Sequence, residues 1–285
     1  MASLLGLDSF KQEVADFYDR RSQTYDDGPM RRQICHRLLQ YSTVEPGQSV
    51  LDIGTGTGCV AIASAQLVGP QGTVMGVDIA PEMLKLANQK VEALGLENVV
   101  FQLADAEALD LPAHQFDQIL CANTFPWMQD KEATLQLWAR LLKPGGRISV
   151  HTPADTAYVG PVVFRQVLAR AGLVLEASNR IGSIDHCRQL FANAGFEDIE
   201  IKSEQNGGYT TLNQAKETWD RIIANPTITA PKILNHGWSN LSTARQMQIK
   251  AEFEAELESL QTEQGIWEDL TTLYILGRKS PTVRG

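Results

Sequence analysis

An alternation of short apolar runs with helical segments, between residues 47 and 151, constrains this chain more than any other feature. The apolar runs predict strands at residues 49–53, 73–78, 98–105, 116–123 and 147–152, and the helical periodicity predicts helices at 59–68, 81–95 and 131–142. Strands and helices that alternate at this spacing form βαβ units with parallel strands. The sequence therefore predicts an α/β fold, a doubly wound, mostly parallel sheet with helices on both faces.

A glycine-rich turn follows the first predicted strand, in the stretch "SVLDIGTGTGCVAIA". In doubly wound folds such a turn forms part of a ligand site, because glycine lets a ligand approach the backbone and the next helix offers free N–H groups. The glycines are Gly54, Gly56 and Gly58, whereas the dinucleotide fingerprint would place a glycine at Cys59. No Lys-Ser or Lys-Thr pair follows, which argues against a P-loop.

Polar residues also end the next three predicted strands: Asp78, Asp105 and Asn123. The carboxyl ends of parallel strands meet at one edge of a sheet, so we expect these side chains to share one crevice with the glycine turn. Asp78 lies 20 residues after Gly58, where a carboxylate accepts both hydroxyls of a ribose. Each acid alone would be ordinary as a helix cap or surface residue, but their joint placement predicts a nucleoside site.

Taken together, these motifs resemble those of the class I S-adenosylmethionine-dependent methyltransferases, most strongly over residues 14–151. The matching stretches are "VLDIGTGTG", "GVDIAPEML", "LADAEALDLP", "FDQILCANTFPWMQD" and "LWARLLKPGGRISV". The upstream "FYDRRSQTYDD" resembles the amino-terminal helix of small-molecule methyltransferases related to the ubiquinone and menaquinone methylases. The resemblance implies S-adenosylmethionine as the cofactor and S-adenosylhomocysteine as its product.

The resemblance also assigns roles to the matching positions. The implied cofactor-binding residues are Tyr25, Asp52, Gly54, Thr55, Gly56, Gly58, Asp78, Ile79, Met83, Asp105, Ala106 and Asn123. The glycine turn would hold the methionine moiety, with Asp52 supporting its ammonium group, and Asp78 would bind the ribose. Ile79 and Met83 would pack on the adenine ring.

The remaining implied contacts are at the two ends of the cofactor. Asp105 and Ala106 would bind the adenine edge. Tyr25, and with it Tyr18, would close over the cofactor, although both tyrosines are equally compatible with ordinary core packing.

Two residues at strand ends are candidates for catalysis. Trp127 follows the fourth predicted strand and could stabilise the sulfonium charge by cation–π contact, or could pack under the next helix. His151 ends the fifth strand, where we expect it to face the crevice and act as a general base if the acceptor needs one. His186 and His236 are weaker candidates. No His or carboxylate spacing predicts a metal site.

The second half of the chain predicts the rest of the sheet and a lid. We assign residues 1–152 to the amino-terminal helices and the cofactor-binding half, 153–206 to the rest of the sheet with a lid segment, 207–265 to a helical lid insertion, and 266–285 to the seventh and last strand with its tail. The lid segments carry the aromatic residues Tyr158, Phe164, Tyr209, Trp219 and Trp238. These could line a largely apolar substrate site or form the lid's own core.

Composition limits the partners and the compartment. The net charge of −9 argues against a nucleic-acid substrate, because phosphate binding requires a basic surface. The four cysteines, Cys35, Cys59, Cys121 and Cys187, are dispersed and predict neither disulfides nor zinc binding. With no signal peptide and no long apolar segment, we expect a cytoplasmic protein without membrane insertion. Oligomeric state leaves no signature in the sequence.

The methyl acceptor is the main open question at this level. We expect a small, largely apolar metabolite that is methylated on oxygen, nitrogen or carbon by in-line transfer. The alternatives are a peptide or protein carboxyl or amino methyltransferase and, in another class, a non-catalytic cofactor-binding scaffold. A nicotinamide oxidoreductase would need the glycine that Cys59 replaces.

Overall fold

The computed structural model describes residues 5–173, 183–224 and 237–281, and its strands lie close to most of the predicted ones. They are Ser49–Ile53 (β1), Thr73–Asp78 (β2), Val99–Leu103 (β3), Phe116–Ala122 (β4), Leu142–Pro153 (β5), Phe196–Glu204 (β6), Gly207–Thr210 (β7), Ile266–Asp269 (β8) and Thr272–Lys279 (β9). Seven of them form one sheet in the order β3-β2-β1-β4-β5-β9-β6. The pairs β1–β2, β1–β4, β2–β3 and β4–β5 are parallel, which confirms the doubly wound, mostly parallel sheet.

The strand order reverses at the centre of this sheet, because β1 lies between β2 and β4. Open α/β sheets bind ligands at such a reversal, outside the carboxyl ends of the strands. Ile53 at the end of β1 pairs with Cys121 near the end of β4, and Asp78 at the end of β2 pairs with Leu103 of β3. The loops after these four strands therefore emerge at one edge of the sheet.

The α-helices of the described residues include the three that the sequence predicts between residues 59 and 142. They are Ser9–Arg21 (α1), Met30–Ser42 (α2), Cys59–Val68 (α3), Pro81–Leu94 (α4), Lys131–Leu141 (α5), Val159–Arg170 (α6), Ile184–Asn193 (α7), Leu212–Ala224 (α8) and Thr243–Ser259 (α9). In α4, Pro81 occupies the first turn and Gly95 ends the helix in the left-handed conformation. No helix among the described residues is long and apolar enough to cross a membrane.

The closing stretch differs from the single strand that the sequence predicts. It forms two strands: β8 pairs antiparallel with β7, and β9 joins the main sheet between β5 and β6. The break is a turn in which the Asp269 carboxylate accepts a hydrogen bond from the Thr271 backbone N–H, at 2.8 Å. The predicted helical insertion, residues 207–265, also begins with a strand, β7.

The chain divides into two compact units. The first contains the described residues up to Thr152, 183–202 and those from Leu273 onward, and the second contains the described residues of 153–180 and 203–272. In the first, α3 packs against β1, and α2 packs against α3 and β4. In the second, Phe164, Trp219 and Phe253 are buried together, and the Trp219 ring lies 5.6 Å from that of Trp238. Most of the aromatic residues predicted for a lid thus pack on each other, whereas Tyr209 is half exposed.

Candidate functional site

A cavity at the carboxyl ends of β1, β2, β3 and β4 brings most of the predicted binding residues together. Its empty space, including the part open to solvent, is about 700 Å³. The predicted residues in its wall are Tyr25, Gly54, Gly56, Asp78, Ile79, Met83, Asp105, Ala106, Asn123 and Trp127. The wall also contains Tyr18 and several residues that no motif singled out, among them Phe10, Lys11, Val14, Glu107, Thr124 and Met128.

The first glycine of the turn is required by a close approach between two loops. Gly54 has a φ of +65°, and a Cβ built on it would lie 2.1 Å from the Oγ1 atom of Thr124. Thr124 follows β4, so its side chain occupies the space that any other residue at position 54 would need. The loops after β1 and β4 can therefore approach each other only with glycine here.

Asp78 holds the glycine loop as well as facing the cavity. One carboxylate oxygen accepts a hydrogen bond from the Gly56 backbone N–H at 2.8 Å, and the other accepts one from the Ala80 N–H at 2.9 Å. Burial raises the pKa of Asp78 to about 6, although the backbone N–H groups of Ala80, Gly56 and Ile79 work against that rise. A half-buried carboxylate with further acceptor capacity in a cavity wall is suited to bind hydroxyl groups.

A second cavity continues along the glycine loop and shares Tyr25, Gly54 and Asn123 with the first. Its wall contains Asp52 and Thr55. One oxygen of Asp52 accepts hydrogen bonds from the Thr55 hydroxyl at 2.6 Å and the Ala61 N–H at 3.0 Å, while the other is buried with no partner among the described residues. Burial raises the pKa of Asp52 to about 7.

Comparison with known proteins decides the family. A family model described as "Methyltransferase domain" matches residues 44–170. The chain is 35% identical over 159 residues to aklanonic acid methyltransferase DauC of Streptomyces sp. strain C5, in an alignment that covers 54% of this chain and 70% of that protein. It is 32% identical over 201 residues to the ubiquinone/menaquinone biosynthesis C-methyltransferase UbiE of Cronobacter sakazakii, covering 63% of this chain and 80% of that protein. The chain belongs to the class I S-adenosylmethionine-dependent methyltransferases.

Solved structures share the fold of this methyltransferase at lower identity. Phosphoethanolamine N-methyltransferase 2 of Haemonchus contortus, solved with phosphomonomethylethanolamine and S-adenosylhomocysteine, superposes with a TM-score of 0.61 at 17% identity, covering 96% of this chain and 61% of that chain. The YcgJ protein of Bacillus subtilis has a TM-score of 0.58 at 21% identity, covering 87% of this chain and 98% of that chain.

The two cavities of the methyltransferase fit its cofactor, S-adenosylmethionine. The unpartnered oxygen of Asp52 is the strongest sign of fit, since a buried carboxylate gains most from a cationic partner such as the cofactor's ammonium group. Asp78 offers acceptors for the ribose hydroxyls, and Ile79 and Met83 line the same cavity with apolar surface for the adenine. These residues would hold the nucleoside and the amino acid ends of the cofactor.

Gly58 lies in neither cavity wall, although the resemblance assigned it to the cofactor. Its φ of +85° turns the chain into α3, and a Cβ on it would lie 3.1 Å from both Ala87 and Phe101. Its position in the structure is explained by the packing of α3 against neighbouring elements.

Lys11 is a site residue that no sequence motif indicated. From α1 its ammonium donates to Asp105 at 2.7 Å and lies 2.9 Å from Glu107. Glu107 also accepts hydrogen bonds from the backbone N–H groups of Gln129 and Asp130. The carboxylate predicted to bind the adenine edge is therefore partnered by a lysine from the amino-terminal helix.

Three aromatic side chains stand together in the cavity wall. The Tyr18 ring lies 5.9 Å from that of Tyr25 and 6.0 Å from that of Trp127, both in edge-to-face arrangement. Burial raises the pKa values of both tyrosines, so they stay neutral at physiological pH. The arrangement offers ring faces and hydroxyl groups without introducing charge.

His151 does not face the crevice as the sequence predicted. Its side chain is fully buried, its ring lies 4.9 Å from that of Tyr274, and neither ring nitrogen has a hydrogen-bond partner among the described residues. Burial lowers the pKa of His151 to about 3. His186 is exposed on α7, and His236 lies outside the described residues. No cluster of His, Cys, Asp or Glu in the described ranges could bind a metal ion.

Proposed function

We propose that this methyltransferase methylates a small, largely apolar organic molecule at an oxygen, nitrogen or carbon atom. The observation that carries the proposal is the wall of the cofactor cavity. Beside the predicted nucleoside-binding residues, that wall contains an apolar and aromatic group, Phe10, Val14, Tyr18, Trp127 and Met128, together with Thr124 and the ion-paired Lys11 and Glu107. Relatives named for aklanonic acid, nocamycin and demethylmenaquinone support the same class of acceptor.

The protein's contribution to the reaction would be mainly positional. S-adenosylmethionine supplies an electrophilic methyl group on a sulfonium sulfur. Asp78 and the glycine loop would fix the nucleoside, and the aromatic wall would orient the acceptor and exclude water. Good alignment can lower a barrier by roughly 7–11 kcal/mol. The faces of Trp127 and Tyr18 would favour a positive charge nearby.

The acceptor would enter with its nucleophilic electron pair already available. Among the described residues, no histidine lines the cavity, and the buried His151 has a pKa far below neutrality. The carboxylates in the wall, Asp78, Asp105 and Glu107, are already engaged by backbone N–H groups or by Lys11. A neutral amine, a carboxylate, or an ionised phenol or enol needs no protein base. The pH dependence of turnover would then follow the ionisation of the acceptor.

Isotope labelling tests the proposal directly. The protein is incubated with methyl-deuterated S-adenosylmethionine and an extract of its source cells, and labelled products are identified by mass spectrometry. We expect label in a small apolar metabolite, and no label with Asp78→Ala. Label found only in peptides or proteins would contradict the proposal and support the peptide alternative. Cofactor binding without any labelled product would support a scaffold.

A further inference from the structure

The segment between α1 and α2 is fastened to the glycine loop by Asp26. The Thr57 hydroxyl donates to one oxygen of the Asp26 carboxylate at 2.7 Å. The Lys90 ammonium, from α4, donates to the other oxygen at 2.6 Å and to the Thr57 backbone carbonyl at 3.0 Å. Asp26, Thr57 and Lys90 form a closed set of contacts, which we call the clasp.

The hydrogen bond from Thr57 is the better buried part of the clasp. Asp26 and Lys90 are 46% and 39% exposed, so solvent and salt weaken their ion pair. Thr57 is only 1% exposed, and its hydroxyl would lose its partner without Asp26. Burial alone would raise the pKa of Asp26, but the hydrogen bonds from Lys90 and Thr57 outweigh it and hold that pKa below its ordinary value.

The residue next to Asp26 is Tyr25, which lines both cavities. Its ring edge lies 3.4 Å from where a Cβ of Gly56 would be. The guanidinium of Arg31 lies 3.7 Å from the Tyr25 ring centroid, and it also donates to the Tyr25 backbone carbonyl. Tyr25 is therefore held from both sides, by Arg31 on α2 and by the clasp on the glycine loop.

We propose that Asp26 is a positioning residue that sets cofactor affinity by holding Tyr25 against the glycine loop. A segment already fastened before binding costs less free energy to order, and apparent affinity is proportional to the fraction of molecules in which the segment is fastened. The inference rests on S-adenosylmethionine as the cofactor, which family membership establishes, and on the predicted place of Tyr25 beside it, but not on the proposed acceptor. Failure to find the acceptor would leave it untouched.

Calorimetric titration with S-adenosylhomocysteine tests the clasp in the full-length protein. We expect Asp26→Ala to raise the dissociation constant about tenfold. Thr57→Val should have a similar effect, whereas Thr57→Ser keeps the hydroxyl and should remain within about twofold of wild type. Lys90→Met should cost about two- to threefold, because its ion pair is half exposed. Lys85→Met is the matched control on α4, since Lys85 pairs only with the exposed Glu82 in the described structure and should leave affinity unchanged.

A second measurement separates positioning from a general loss of stability. In a Tyr25→Ala background, Asp26→Ala should add little further loss of affinity, because the clasp acts through Tyr25. Equal losses in the wild-type and Tyr25→Ala backgrounds would overturn the proposal. So would unchanged affinity in Asp26→Ala and Thr57→Val with a lowered melting temperature, which would indicate a purely structural role. If Asp26→Ala does not fold, the comparison of Thr57→Val with Thr57→Ser decides the question.

Discussion

Replacing His151 should change how the stability of this methyltransferase depends on pH. The imidazole is fully buried against Tyr274, and burial holds its pKa at about 3. In the unfolded chain a histidine has a pKa of about 6.5. Between about pH 6.5 and about pH 3 the His151 imidazole is protonated in the unfolded state and neutral in the native state. The contribution of His151 is therefore fully present above about pH 6.5 and is lost as the pH falls toward 3.

The size of this effect follows from the two pKa values. At pH 5, proton binding to His151 in the unfolded state stabilises that state by about 2 kcal/mol, and the free energy of unfolding falls by the same amount. The loss approaches about 1.4 kcal/mol per further pH unit. For a domain whose whole stability is about 5–15 kcal/mol, this change is large.

Two carboxylates at the site, Asp52 and Asp78, affect stability in the opposite direction. Burial raises the pKa of Asp52 to about 7 and that of Asp78 to about 6, so both bind protons more readily in the native state than in the unfolded chain. Their contribution is present at low pH and is lost as the pH rises through those values. The pH curve of the wild type therefore mixes both effects, and only its difference from a His151 variant isolates the histidine.

The assay is urea unfolding of wild type, His151→Leu and the control His36→Leu at pH 7.5, 6.5, 5.5 and 5.0. His36 is exposed on α2. Between pH 7.5 and 5.0, His151→Leu should lose about 2 kcal/mol less stability than wild type, and the control should not gain this advantage. Parallel curves for wild type and His151→Leu would refute a buried, neutral imidazole.

Three further predictions concern the cofactor cavities. Gly54→Ala should lower the melting temperature and weaken S-adenosylhomocysteine binding more than tenfold, as measured by calorimetry, because the new Cβ would overlap Thr124. Unchanged binding would contradict the close approach of the loops after β1 and β4. Asp78→Asn should weaken the same binding about 10- to 100-fold, since hydrogen bonds to charged groups contribute about 1.5–3 kcal/mol; Glu82→Gln, on the exposed side of α4, is its control. Cofactor binding at pH 7 should release about half a proton, because Asp52 has a pKa of about 7 that the cofactor's ammonium group would lower. Calorimetric titrations in two buffers of different ionisation enthalpy measure this release.

The order of strands made the centre of the site predictable. Asp78 ends β2, and Asp105 and Asn123 lie within two residues after β3 and β4. Parallel pairing brings these strand ends to one edge of the sheet. The glycine spacing argued against a dinucleotide site, and the resemblance of the whole motif set indicated methyl transfer. These features depend on local chain direction and on residue type, which the sequence contains explicitly.

Contacts between distant parts of the chain were not predictable in the same way. Lys11 meets Asp105 across 94 residues, and Lys90 meets Asp26 across 64. Neither lysine has a motif, because each is an ordinary polar position on an amphipathic helix. Their partners are determined by how α1 and α4 pack, and a single sequence does not specify that packing.

The direction of the His151 side chain was mispredicted for a related reason. From Ile148 to Thr152, every residue of β5 is buried, so the usual alternation of buried and exposed positions cannot tell which face of the sheet a side chain occupies. Tyr274, which packs on the imidazole, comes from β9 more than a hundred residues later. A histidine at a strand end is therefore compatible with either face.

The place of α1 in the cavity wall affects how a shortened protein should be designed. Phe10, Lys11, Val14 and Tyr18 all come from this helix, yet the family model begins to match only at residue 44. A fragment cut at that boundary would retain all the glycines of the turn and the whole parallel sheet. It would lack the part of the cavity wall that α1 provides. Crystals or ligand screens of that fragment would therefore report on an incomplete binding site.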